Sequence, residues 1–120
     1  MATAFGNTAG PVYPLGKIVV ATAHTTVPLS QNVGLTTGFG PVTASTIKVM
    51  APSGNTGDVY LIFTGQASNG TGGTSVVLSV PKGTERELKS YTQGGAFNVA
   101  AFSLDADNNG DSAYVTLVNA

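Results

Sequence analysis

The chain reads as all-β: an antiparallel β-sandwich with Greek-key or jelly-roll-like connections and about seven or eight short strands. Three observations predict this. Short apolar runs with the two-residue alternation of strands recur at near-regular spacing along the sequence. Clusters of Gly, Pro, Asn and Ser separate them. No stretch carries the apolar period of an amphipathic helix. With 120 residues the chain is one domain, long enough to bury roughly two-thirds of the surface of its unfolded form without disulfides or a metal.

Residues 1–16 are rich in Gly, Pro, Thr and Ala, and Pro11 and Pro14 oppose a helix. The segment has no period of its own, so it reads as an N-terminal arm ahead of a single sandwich domain at 17–120. Its apolar residues Phe5, Val12, Tyr13 and Leu15 have little use in a frayed tail. The arm is therefore expected to dock on a partner and to be dispensable for folding. Residues 17–23 form a first strand with Ile18 and Val20 on one face. Residues 24–30 continue extended, and Pro28 places them at an edge or a bend. Residues 31–44 hold Gly34, Gly38, Gly40 and Pro41 and form a long connection, with Phe39 as an anchor.

The centre of the domain is 47–63. Ile47, Val49 and Ala51 alternate with Lys48 and Met50, the period of a half-buried strand. Pro52 to Gly57 then stops the ladder, because Pro lacks a donor and Gly and Asn tolerate positive φ. Residues 59–63 are apolar on both faces, which requires cover on both faces. A second sheet is expected on one side, and a neighbouring subunit or a loop on the other.

Residues 65–74 are Gly-rich and read as an exposed loop. Residues 75–80 make a strand with Val76, Leu78 and Val80 inward. The sequence Val80-Pro81-Lys82-Gly83 suits a type I turn. In residues 84–90, Thr84 and Glu87 have capping-box spacing, but the segment is too short before Gly94-Gly95 for a helix, and a polar edge strand around Leu88 is preferred. Residues 96–104 and 113–118 are the last two strands, joined by a turn at 105–112.

Composition narrows the function. Asp, Glu, Lys and Arg make up only 9% of the chain, against roughly 25% in ordinary globular proteins. A charge-poor surface loses the usual protection against association, so a homo-oligomer is expected. Five basic residues and a net charge of −1 do not make a phosphate-contacting surface, which argues against nucleic acid. There is no Cys, hence no thiolate metal site and no Cys nucleophile. No basic-then-apolar signal peptide is visible at the N-terminus, and no apolar run approaches the ~20 residues of a membrane span.

Candidates for chemistry are few. His24 is the one His, and nothing near it in sequence resembles a nucleophile elbow. Glu85 and Glu87 sit among Lys82, Arg86 and Lys89 and read as a solvated edge. The run Asp105-Ala-Asp107-Asn108-Asn109-Gly110-Asp111 offers oxygen ligands at Asp105, Asp107, Asn109 and Asp111 with a Gly at the bend, like the first half of a calcium loop. Its twelfth position is Thr116 in place of a bidentate Glu, and no helices flank it. A hairpin turn with positive φ at Asn109-Gly110 is the preferred reading, and calcium is expected to bind no tighter than about millimolar. Tyr60, Tyr91 and Tyr114 are the candidates for a carbohydrate platform, though core or interface roles are commoner for such residues. No cofactor is expected.

Three segments carry a resemblance: Ala51-Pro52 with Asn55-Thr56-Gly57-Asp58-Val59-Tyr60; Val80-Pro81-Lys82-Gly83 with Leu88; and Phe97-Asn98-Val99-Ala100-Ala101 with Gly110-Asp111-Ser112-Ala113-Tyr114-Val115. Together they resemble small structural proteins of tailed bacteriophages over the last two-thirds of the chain. The Gly-rich stretch 65–74 and the apolar arm depart from that pattern. The resemblance implies a non-enzymatic virion part, in particular a capsid decoration (cement) protein that would sit on the head as a small oligomer such as a trimer. The major capsid protein would be its partner and the capsid surface its location. It implies no catalytic residues. A carbohydrate- or receptor-binding module of a tail or fibre is the alternative.

Overall fold

The structure, a computed structural model, describes residues 12–32, 43–64, 76–90 and 96–118. Ten strands are formed among them: β1 (Val12–Val19), β2 (Val27–Pro28), β3 (Thr43–Ala44), β4 (Thr46–Met50), β5 (Val59–Phe63), β6 (Val76–Val80), β7 (Glu85–Lys89), β8 (Phe97–Asn98), β9 (Phe102–Ala106) and β10 (Ser112–Val118). No α-helix occurs among the described residues. Two single 3-10 turns, Leu29–Asn32 and Val99–Ala101, complete the elements.

Eight of the strands form two four-stranded sheets, ordered β1-β10-β4-β7 and β2-β9-β5-β6, with β3-β8 as a separate ribbon. Every pairing is antiparallel. The chain changes sheet at each step between these eight strands except β5 to β6, which are neighbours in one sheet. Two interlocked Greek keys of this order make a jelly roll, so the sandwich class is confirmed and its connectivity is resolved.

Alternation places the core between the sheets. Ile18, Ile47, Val49, Ala113, Val115 and Leu117 face it from one sheet, and Val59, Leu61, Val80, Phe102, Leu104 and Ala106 from the other. Leu29 and Val99 project from the two 3-10 turns into the same cluster. Phe102 stacks on Phe63 and meets the edge of Phe97, with ring centroids 5.5 and 5.6 Å apart.

Several elements differ from the sequence reading. The first strand begins at Val12 rather than Lys17 and pairs with β10 from Val12↔Val118 onward, so residues 12–16 belong to a sheet. A bulge between Pro14 and Gly16 lets Leu15 turn inward, and Leu15 is buried in the core. Leu15 is thus unavailable as an arm residue for a partner. Val12 and Tyr13 are strand residues by backbone, and Phe5 lies outside the described residues, as do the Gly-rich stretch 65–74, Phe39 and Tyr91. The expected strand at 96–104 is divided by the 3-10 turn at Val99–Ala101, where the Asn98 side chain accepts from the Ala100 N–H at 3.1 Å. The turn after β6 starts one residue later than expected: the Thr84 N–H donates to the Pro81 carbonyl, and Gly83 at the third position has φ 76°. Within residues 84–90, Glu85–Lys89 form the preferred edge strand.

Candidate functional site

Four sheet-crossing connections meet at one end of the sandwich: residues 20–26, 51–58, 81–84 and 107–111. This is where the polar residues singled out by the sequence come together. The connection 107–111 is the clearest correction. It does not close a hairpin, because β9 and β10 lie in different sheets. Only Gly110 of the Asn109-Gly110 pair takes a positive φ, at 85°.

The four oxygen-bearing candidates of this segment have separate tasks. Asp111 is buried, and its carboxylate accepts from the Thr56 and Gly57 N–H groups at 2.8 and 2.9 Å. Asn109 Oδ1 accepts from the Ala23 N–H at 2.7 Å. Asp107 Oδ2 accepts from the Tyr60 hydroxyl at 2.6 Å. Asp105 lies on β9, not in the turn, and is 1% exposed. Its Oδ2 is 3.4 Å from His24 Nδ1. No group of three His, Asp or Glu that could share one metal ion occurs among the described residues. The oxygens of Asp111 and Asn109 are turned toward backbone N–H groups of two other loops, away from a common centre.

Asn55 extends this clamp. Its side-chain amide donates to the Ser112 carbonyl at 2.8 Å and accepts from the Ser112 N–H at 3.0 Å. β4 has ended at Met50↔Tyr114, so the Asn55 amide takes the place of a strand backbone beside β10. A buried amide is well suited to this, having one donor and one acceptor side in a plane. Gly57 packs closely under Asn108: a Cβ there would lie 2.6 Å from Asn108 Nδ2, so the Asn108 side chain would have to swing aside. The connections are further tied by backbone bonds from Val20 to Asp111, from Gly110 to Val20 and from Ala51 to Thr84.

His24 is the one described non-glycine residue in the left-handed region, with φ 64°. Such a conformation costs a bulky residue on the order of 1–2 kcal/mol and must be held by its surroundings. The holding contacts are the bond from its N–H to the Ala106 carbonyl at 3.1 Å and the two carboxylates that face its ring. Nδ1 faces Asp105, and Nε2 lies 3.8 Å from Asp107 Oδ1. A hydrolytic relay needs one ring nitrogen directed at a nucleophile. Here both nitrogens face carboxylates, so the ring fits the anchoring of the β1–β2 loop on β9.

Tyr60 is buried with its hydroxyl on Asp107, which removes it from any surface platform. Tyr114 remains exposed on the outer face of the β1-β10-β4-β7 sheet. Glu87 forms a surface ion pair with Lys89 at 3.1 Å. Sequence reasoning missed Asn55 as a clamp residue. The Asn55-Thr56-Gly57 and Asp111-Ser112 motifs were visible, but their partnership spans more than fifty positions and has no local signal.

No protein-family model matches the chain, and no curated protein or solved structure is significantly similar to it. Among the described residues no helix is long and apolar enough to cross a membrane.

Proposed function

We propose that the chain is a structural virion protein, a capsid decoration protein that stabilises a phage head by covering junctions between subunits of the major capsid protein. It works as a homo-oligomer on the capsid surface and catalyses nothing. The observation that carries this reading is the use made of the polar cluster. Asp111, Asn55 and Asn109 tie together the loops 20–26, 51–58 and 107–111, Asp107 anchors the last of them to Tyr60 on β5, and backbone bonds of Ala51 add 81–84, a construction suited to bearing load. The jelly-roll scaffold, the charge-poor composition and the resemblance of the loop motifs to small phage proteins point the same way. Stabilisation then comes from area buried across junctions, with no chemical step.

The test is co-sedimentation of the purified chain with heads assembled from the major capsid protein encoded beside it. Saturable binding, with heads that resist a higher temperature once covered, is the expected outcome. Absence of head binding, combined with retention on immobilised glycans and release by free sugar, would replace the proposal with a receptor-binding module of a tail or fibre. In that case Tyr114 is the tyrosine on a described, exposed face.

A further inference from the structure

The outer face of the β1-β10-β4-β7 sheet is unlike an ordinary solvent face. The outward positions of its two central strands are Thr46, Lys48 and Met50 on β4 and Tyr114, Thr116 and Val118 on β10, with Tyr114 42% exposed, and Val19 on β1 is 45% exposed. A chain with so few charges places them here selectively. One row of cross-strand partners runs straight over the sheet: Lys17 opposite Tyr114, Tyr114 opposite Met50, Met50 opposite Glu85. The row is therefore positive at the β1 edge, apolar in the middle and negative at the β7 edge.

We propose that this face is a two-fold interface with a second copy of the chain. Lys17 of each copy lies over Glu85 of the other, and Tyr114 of each over Met50 of the other. A two-fold axis running along the strands between β10 and β4 exchanges β1 with β7 and β10 with β4 across the interface. That single operation matches charge with opposite charge and ring with thioether in the same row. It leaves the strands of the two sheets nearly aligned, the arrangement in which sheets pack face to face. An axis across the strands would set β1 over β1 and give Lys17 no opposite charge. The next row does not oppose this packing. The same axis sets Lys48, on central β4, over Thr116 of the other copy, inside the contact, where its cross-strand partner Glu87 supplies the opposite charge from its own sheet.

The proposal rests on the reading that the protein works in an assembly and supplies the contact between its copies. It is tested apart from head binding, by sedimentation of the full chain at ~1 to ~100 µM. The expected result is a reversible dimer. Lys17→Glu alone, or Glu85→Lys alone, places like charges together twice per dimer and should weaken it at least about tenfold. An equimolar mixture of the two single variants should dimerise as well as the unmodified chain, since each contact is then Lys against Glu. Recovery on mixing also shows that both variants fold. A monomer throughout the range overturns the proposal whether or not the chain binds heads. So does a trimer, a dimer whose affinity ignores both substitutions, or a mixture that fails to recover.

Discussion

The two sheets present outer faces of similar strand construction and opposite fate. On β5 and β9 the residues turned away from the core are Tyr60, Ile62, Ser103 and Asp105, and all four are buried by this chain itself. On β10 and β4 the equivalent positions are Tyr114, Thr116, Lys48 and Met50, and solvent reaches each of them. The covered face carries a buried carboxylate, a hydroxyl pair between Ser103 and Thr64 at 2.9 Å, and a tyrosine bonded to Asp107. The open face carries Tyr114 and Met50 between charged edges, with Thr116 and Lys48 in the row beside them. The difference teaches that apolar residues on both faces of a strand do not by themselves call for a second subunit. Cover for β5 is found within the chain, and the face left for a partner belongs to the other sheet.

The contrast can be broken most directly at Ile62, which is fully buried on the covered face. Ile62→Ala should cost about 2–5 kcal/mol in urea unfolding, the range for a large aliphatic removed from a packed site. A cost under about 1 kcal/mol would mean that the face is open after all. Next comes the connection that carries the chain from the covered sheet to the open one. Asp111→Ala strands the Thr56 and Gly57 N–H groups and should cost on the order of 3 kcal/mol, again read by urea unfolding. Asp111→Asn keeps one acceptor and should lose less. Equal, small losses for both variants would show that the clamp is not holding the loops.

Two smaller effects sharpen the comparison at its tyrosines. Tyr60→Phe removes the hydroxyl bonded to Asp107 and should cost about 1 kcal/mol. Tyr114→Ser, on the open face, should change the stability of the dilute protein by no more than about 0.5 kcal/mol. Thermal unfolding of both variants under one set of conditions checks the pair. If Tyr114→Ser proves the more damaging, the assignment of covered and open faces is reversed.

Much of the architecture was legible residue by residue. The alternation of Ile47, Val49 and Ala51 marked β4, the unbroken apolar run marked β5, and the brevity of 84–90 favoured the edge strand over a helix. These are local signals, carried by neighbours in sequence. The boundary at Lys17 was misplaced because Pro11, Pro14 and Gly16 mask a strand whose register recovers only through a bulge against β10. Leu15 looked like an arm residue for the same reason, and its burial is decided by that bulge.

What the sequence determines by itself is the all-β class, the positions of most strands and breakers, and a surface poor in charge. Each follows from side-chain period and backbone preference, which act over a few residues. The tertiary structure alone decides the sheet to which each strand belongs, the jelly-roll order, the passage of 107–111 between sheets and the clamp of Asn55 and Asp111 on distant backbone. It also decides that Tyr60 and Ile62 are covered while Tyr114 and Met50 are not. Antiparallel partners and crossing connections are chosen by contacts far apart in sequence, and the same alternating pattern serves a strand equally well in either sheet.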